Sequence, residues 1–129
     1  MAPELSLDQL REEIDKIDEV IVRLLDSRAR CAYTVGRLKH ELGRPIYEPA
    51  REAAVIAHVR QVNEALGGPL DGDAVARLYE RIMDEARRIQ RIEAERDKKN
   101  KEEQTTNNNN EERTTNRRTT NEQEEQMTN

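Results

Sequence analysis

Bulky aromatic side chains are nearly absent from this sequence, whose 129 residues include three tyrosines and neither phenylalanine nor tryptophan. Hydrophobic residues of all kinds make up 34% and charged residues 38%. A chain this polar cannot build a thick core by itself, because it has too little apolar surface to bury. We therefore expect thin helical packing in which an oligomer supplies the missing burial.

Cysteine, long hydrophobic runs and excess positive charge are lacking as well. The lone Cys31 excludes an intramolecular disulfide, is typical of a reducing compartment and fits a small core residue. No apolar run precedes the first amphipathic segment, so we expect neither a signal peptide nor a membrane span. We therefore expect a cytoplasmic protein. The formal net charge of −5 gives no support to a nucleic-acid partner.

Several common kinds of catalytic site have no counterpart in the sequence. The two histidines, His40 and His58, show no metal-ligand spacing with other candidate ligands. A glycine-rich phosphate loop, a nucleophile elbow and a catalytic triad pattern are all missing. We therefore predict no metal site.

The composition changes abruptly near Asp97. Aliphatic residues recur with helical spacing before it, whereas Met127 is the one hydrophobic residue after it. Such a polar segment cannot bury enough apolar area to offset the entropy lost on ordering. We predict one domain over residues 1–96 and a disordered, low-complexity tail over residues 97–129.

The first helix is predicted from about Leu7 to about Leu42, which is long for a small domain. Gly43 is a plausible C-cap, and Pro45 prevents continuation. Its apolar seam follows a heptad pattern, interrupted by Arg28 alone: Leu7, Leu10, Ile14, Ile17, Ile21, Leu24, Cys31, Val35, Leu38 and Leu42.

Two shorter helices follow. One is predicted from around Pro49 to Leu66, and the other begins with Asp71 or Asp73 as its N-cap and reaches Gln90. Their expected inward-facing residues are Val55, Val59, Val62 and Leu66 on the second helix and Val75, Leu78, Ile82, Ala86 and Ile89 on the third. No strand-like alternation occurs, so the predicted class is all-α. One long helix facing two short ones leaves half its seam uncovered, which points to an intertwined homodimer.

Arg28 is anomalous, because a guanidinium in an apolar seam costs several kcal/mol unless it finds an anionic partner. A core carboxylate could pair with it, or its side chain could reach the surface. Arg11 and Lys39 lie on the stripe beside the seam. Arg28 and Lys39 stand roughly 16 Å apart along the helix, close enough to enclose a small ligand, whereas Arg11 lies roughly 25 Å from Arg28. If two first helices cross antiparallel near Ile21, the partner's Arg11 completes each site.

The start of the second helix is also rich in charge. Arg51 and Glu52 lie on or beside its inward face. Glu48 lies near the helix start, where its carboxylate could cap backbone N–H groups or contact a ligand. Glu52 could instead form an ion pair with Arg28 or Lys39. On the third helix Gln90 faces inward, and the neighbouring arginines are expected to form a solvated basic face: Arg87, Arg88 and Arg91.

In order and spacing these residues resemble the AroQ class of chorismate mutases, over about Leu5 to Ile92. The runs that carry the resemblance are Leu10–Asp18, Leu24–Arg28, Val35–Lys39 and Arg44–Glu52. No one of them is specific, but the set with its spacing is. The resemblance implies an intertwined dimer of three-helix chains that converts chorismate to prephenate, on the route to phenylalanine and tyrosine. This pericyclic rearrangement needs no nucleophile, no proton transfer and no cofactor.

The resemblance also implies a role for each charged residue. Arg28 and the partner's Arg11 would hold the two substrate carboxylates. Lys39 and Gln90 would face the ether oxygen of the breaking bond.

Three further positions complete the implied site. Glu52, with help from Glu48, would bind the ring hydroxyl, and Arg51 would complete the polar lining. The family commonly has serine where this chain has Ala86, so one hydroxyl contact to a substrate carboxylate is missing and affinity is expected to be weaker.

Two other functions fit the same pattern. An isochorismate pyruvate lyase of the same fold needs nearly the same cationic pocket, although the Arg44–Glu52 stretch favours the mutase. A non-catalytic helical dimerisation module would carry its charges as surface decoration. In such a module Arg28→Leu would increase stability, whereas in an enzyme it would destroy activity.

Overall fold

The computed structural model describes residues 4–127, and its side-chain description excludes residues 121, 122, 126 and 127. These residues contain three helices and no strand: α1 (Leu7–Glu41), α2 (Pro49–Leu66) and α3 (Gly72–Met127). The predicted all-α class is confirmed. Residues 1–3 of the predicted domain and residues 128 and 129 of the predicted tail lie outside the described residues. None of the described helices has the length and apolar character that crossing a membrane requires.

Local hydrogen bonds at both ends fix the limits of α1. The Ser6 hydroxyl accepts the N–H of Gln9 at 3.2 Å, and the Gln9 side chain accepts the N–H of Ser6 at 2.9 Å, which is a capping box. At the other end Gly43 has a positive φ of 65°, and the next N–H, that of Arg44, donates to the Lys39 carbonyl at 2.8 Å. This Schellman turn ends α1 within one residue of the predicted position.

The limits of α2 and the start of α3 also follow from local signals. Pro49 occupies the first turn of α2, and Gly67 ends that helix in the left-handed conformation with φ 62°. The carboxylate of Asp71 accepts the N–H of Ala74 at 2.7 Å. Of the two candidate N-caps for α3, Asp71 is therefore the one used, and Asp73 lies inside the helix.

The buried core of the single chain is small and lies where α3 packs on the second half of α1. Gly36 makes the close approach possible, since a Cβ added there would lie 3.0 Å from the Cα of Gln90. The buried apolar residues are Ala32, Val75, Ala76 and Met83.

Three of the expected inward-facing residues are exposed in the single chain. Val62 and Leu66 lie on the last turns of α2, which contains no buried residue, and Leu78 of α3 is 58% exposed. The prediction was wrong for these positions because helical periodicity locates an apolar face without showing whether another element of the same chain covers it.

The first half of α1 is not covered by any other described part of the chain. Every residue from Leu7 to Ser27 is exposed. The six seam residues of this half are between 45% and 64% exposed: Leu7, Leu10, Ile14, Ile17, Ile21 and Leu24. An apolar seam of this length is much larger than the scattered hydrophobic residues that ordinary surfaces carry.

Residues up to Glu93 form one compact unit, and those from Ala94 onward form another. In the second unit the structure differs from the predicted disorder, because α3 runs to Met127. Its bonds are local: each of the six threonine hydroxyls that the structure describes there donates to the carbonyl four residues earlier, and Lys101 pairs with Asp97 at 3.3 Å. All side chains described from residue 98 onward are exposed, so no tertiary packing supports this helical segment.

Candidate active site

A cavity of about 400 Å³ lies in the first unit, bordered by α1, α2, α3 and the loop between α1 and α2. Apolar residues such as Val35, Ile46 and Val55 form part of its wall. Every site residue predicted from the sequence except Arg11 lines it: Arg28, Lys39, Glu48, Arg51, Glu52, Ala86 and Gln90.

Lys39 is well shielded from solvent, with a side chain that is 13% exposed. Its ammonium group donates to the Ile46 carbonyl at 2.7 Å and to Gln90 Oε1 at 3.1 Å. A Glu48 carboxylate oxygen lies 3.3 Å from the same nitrogen. Lys39 thus donates two hydrogen bonds and forms one ion pair, and these three oxygens hold its charge at one place.

Gln90 reaches Lys39 because α1 and α3 approach closely at this level. The residue is 7% exposed, and its backbone lies against Gly36, one turn before Lys39 on α1. Sequence reasoning assigned no role to Gly36. A glycine inside a long predicted helix is costly, and that cost was the signal that another backbone comes close.

Glu48 lacks one of the two roles considered for it, the capping of backbone N–H groups by its side chain. Its carbonyl accepts the N–H of Glu52 at 3.0 Å, so it precedes α2 as the N-cap residue. Its side chain makes no capping hydrogen bond and faces Lys39 instead. The side-chain capping interpretation was therefore wrong, because the ammonium group of Lys39 competes successfully for this carboxylate.

Arg87 is a cavity-lining residue that sequence reasoning missed. Expected on a solvated face, it lines the cavity with a side chain that is 24% exposed. One guanidinium nitrogen, Nη1, donates to Glu52 Oε1, and the other, Nη2, donates to Asp84 Oδ1. The hydrogen bond that Arg87 donates to Glu52 raises the pKa of Arg87 above its ordinary value. Glu52 thus pairs with a residue of α3. The alternative that it pairs with a cation of α1 is therefore wrong.

The helical spacing of Arg87 contained a signal for its position. It follows the buried Met83 by four residues and precedes the buried Gln90 by three, which places all three on one face. Arg88 and Arg91 are exposed and lie on the solvated face, as expected.

Arg28 and Arg51 border the cavity without a carboxylate partner in the described part of the chain. The guanidinium of Arg28 lies over the ring of Tyr79, 5.9 Å from its centroid. Neither alternative for Arg28 holds in the form considered: no core carboxylate among residues 4–127 pairs with it, and it remains half-buried at the cavity.

The cavity carries a positive charge. Four cationic side chains and two carboxylates line it, so its formal charge exceeds zero by two in a chain whose net charge is −5. Charge of one sign concentrated in a concave site raises the local concentration of ligands of the opposite sign. The arrangement suits a small dianion.

Three further positions determine what the cavity of the single chain offers to a ligand. Arg11 lies on the exposed half of α1 and is not among the residues that line the cavity. Ala86 lines it with a methyl group, so no hydroxyl is offered at that position. Cys31 is exposed and also borders the cavity, so its interpretation as a core residue was wrong for the single chain.

Comparison with known proteins agrees with this geometry. The family model for chorismate mutase type II matches residues 10–91. Over 88 residues the chain is 46% identical to the bifunctional chorismate mutase/prephenate dehydratase of Pseudomonas aeruginosa, which covers 64% of this chain and 23% of that protein. It is 38% identical over 78 residues to the enzyme of the same name from Aquifex aeolicus, which covers 60% of this chain and 22% of that protein. The chain therefore spans less than a quarter of the length of these curated relatives.

A solved structure of a chorismate mutase matches this chain over nearly the full length of the solved chain. The structure of chorismate mutase (form II) from Thermus thermophilus matches with a TM-score of 0.62 and 32% sequence identity. The match covers 66% of this chain and 93% of that one. The chain belongs to the chorismate mutase type II family, the AroQ class.

Proposed function

We propose that this chain is a chorismate mutase, which rearranges chorismate to prephenate on the route to phenylalanine and tyrosine. One observation carries the proposal. Arg28 and Arg51, which have no carboxylate partner among the described residues, border a cavity that the hydrogen-bonded pair of Lys39 and Gln90 also lines. Chorismate is a small dianion with an ether bond to break, and this cavity offers positive charge for the carboxylates and fixed donors for the ether oxygen.

The cationic residues would solve the main difficulty of the reaction, which is entropic. The flexible enolpyruvyl side chain must be held over the ring, and oriented binding of this kind supplies a large part of the barrier reduction in intramolecular reactions. Arg28 would bind one substrate carboxylate, and Arg51 would complete the polar lining.

Lys39 would stabilise the negative charge that develops on the ether oxygen as the bond breaks. Because it is held by three oxygens and shielded from water, it needs little reorganisation during the reaction. We expect the contact to Glu48, the longest of the three at 3.3 Å, to yield to the substrate. Gln90 accepts from Lys39 through Oε1, which leaves its amide N–H groups to donate to the ether oxygen.

The two carboxylates of the cavity would bind the ring hydroxyl, Glu52 directly and Glu48 in support. Ala86 would border a substrate carboxylate without donating to it. The arrangement needs neither a metal nor a cofactor, because the substrate supplies all the bonds that form and break.

We propose further that the chain acts as an intertwined homodimer. The exposed seam of α1 supports this, as does an apolar groove of about 320 Å³ beside Arg28 whose lining includes Leu25, Ile82 and Ile89. Two copies of α1 that cross antiparallel near Ile21 would cover both surfaces. The same crossing would bring the partner's Arg11 to the second substrate carboxylate. A cytoplasmic location belongs to the same proposal, since the reducing compartment suits the lone cysteine.

The direct test is to follow the loss of chorismate absorbance on adding the purified protein and to identify the product. We expect saturable, cofactor-independent conversion to prephenate. Lys39→Ala and Arg28→Ala should each reduce turnover severely while the protein stays folded. Release of salicylate and pyruvate from isochorismate, with no prephenate from chorismate, would replace the mutase by the lyase, and no turnover of either would favour a dimerisation module.

The contribution of Arg11 across the interface has its own test. Arg11→Ala and Arg28→Ala, each inactive alone, should recover about one quarter of wild-type activity when unfolded and refolded together. Half of the dimers are then mixed, and each has one intact site. The matched control mixes Arg28→Ala with Lys39→Ala, which damage the same chain's share of the site and should show no recovery. Equal recovery in both mixtures, or none in either, would contradict the shared site.

A further inference from the structure

We propose that Arg87 is a positioning residue that holds the Glu52 carboxylate in place for the ring hydroxyl of the substrate. This inference rests on the proposed function. It starts from a bond between two helices, in which Nη1 of Arg87 on α3 donates to Oε1 of Glu52 on α2. Within residues 4–127, Arg87 is the residue that pairs with Glu52.

The guanidinium of Arg87 is itself held from two further sides. Nη2 donates to Asp84, one turn earlier on the same helix. The ring of Tyr47, in the loop between α1 and α2, lies 5.5 Å from the guanidinium carbon, a cation–π distance. A lysine could not replace this arrangement, because the planar fork of an arginine can satisfy two carboxylates at once.

Without Arg87, the remaining possible ion-pair partners of the Glu52 carboxylate would be the other cations of the cavity. Two of these, Arg28 and Arg51, have no carboxylate partner in the described part of the chain and are the groups proposed to contact the substrate. A carboxylate that turned toward either would neutralise charge meant for the substrate. Arg87 therefore fixes Glu52 and also keeps the neighbouring arginines available.

A double-mutant cycle tests this inference. Arg87→Met is compared with the wild type, and Arg87→Met combined with Glu52→Gln is compared with Glu52→Gln alone. In the wild-type background we expect kcat/KM to fall about tenfold, mostly through KM, which corresponds to a loss of about 1.4 kcal/mol. In the Glu52→Gln background we expect less than a twofold effect, because the group that Arg87 positions has lost its charge.

Two controls separate positioning from a general loss of structure. Arg88→Met removes the adjacent arginine, whose side chain is 67% exposed, and should leave kcat/KM unchanged. Arg87→Lys keeps the charge but not the fork, and we expect it to recover only part of the loss. Should Arg87→Met fail to fold, Arg87→Lys supplies the same cycle with a smaller amplitude.

The outcomes are distinct from those of the proposed function. A wild-type protein that does not turn over chorismate overturns both. An active wild type with an Arg87→Met variant of equal kcat/KM overturns the inference alone. So does a tenfold loss that persists in the Glu52→Gln background, since the effect of Arg87 would then not act through Glu52.

Discussion

Gly36→Ala is a small change that should damage the active site more than the fold. Gly36 lies in α1 where its backbone meets that of Gln90 on α3. A Cβ added at this position would lie 3.0 Å from the Cα of Gln90 and 3.1 Å from its Cγ. Because the nearest atom belongs to the backbone, no rotation of a side chain can relieve the contact.

The size of the effect follows from these distances. Ordinary van der Waals contact begins near 3.4 Å, so α3 must move away by about 0.4 Å or more. The bond from Lys39 to Gln90, now 3.1 Å, would lengthen toward the limit of a hydrogen bond. Overpacking costs about 1–3 kcal/mol, but alanine is a better helix former than glycine by about 1 kcal/mol. The net loss of stability should therefore be at most about 2 kcal/mol, and the protein should remain folded.

The loss of activity should be larger in relative terms. Misplacement by about 1 Å can cost a hundredfold in rate, so a shift of about 0.4 Å should lower kcat about tenfold. We would measure kcat and KM with chorismate, and the thermal midpoint by circular dichroism. Gly68→Ala is the matched control, since a Cβ there has no atom within 4 Å, and it should change neither activity nor midpoint appreciably.

Two results would refute this reasoning. Wild-type kcat with an unchanged or raised midpoint would show that α3 adjusts without disturbing Lys39. A protein that unfolds outright would show that the contact supports the whole core and not the placement of one pair.

Three further predictions concern other parts of the chain. Arg28→Leu should abolish turnover and raise the thermal midpoint by a few degrees, because it replaces a half-buried charge by an apolar group in the seam; retained activity would remove Arg28 from the site. Ala86→Ser should lower KM for chorismate several-fold through one hydrogen bond to a charged group, and an unchanged KM would show that position 86 does not contact a substrate carboxylate. Deleting the residues after Lys101 should leave kcat, KM and oligomeric state as they are, because the side chains described in that segment are all exposed; loss of activity or of the dimer would show that the domain extends beyond residue 101.

The helix limits could be predicted from the sequence because the signals that set them are local. Gly43 and Gly67 end two helices in the left-handed conformation, Pro49 opens α2, and Asp71 caps α3, each acting on groups within a few residues. The tail shows what composition alone does not predict. A polar composition indicates only that a segment cannot bury apolar area, and the local hydrogen bonds of a helix need no burial. The charged residues along α1 and α2 could be identified from the sequence for the same local reason. Each of them breaks or borders an apolar pattern that can be counted along the chain.

The pairing of those charges was decided by the tertiary structure. Glu52 and Arg87 are 35 positions apart, and Lys39 and Gln90 are 51 apart, so their contacts depend on the packing of α3 against the other helices. That packing depends in turn on Gly36, which lets two backbones meet, and the sequence shows a glycine without showing what it faces. Periodicity determines which side of a helix is apolar or charged. Which partner lies opposite is decided only when the helices pack. Several carboxylate–cation pairings are equally compatible with the sequence, and their energies differ only through the distances that the packing sets.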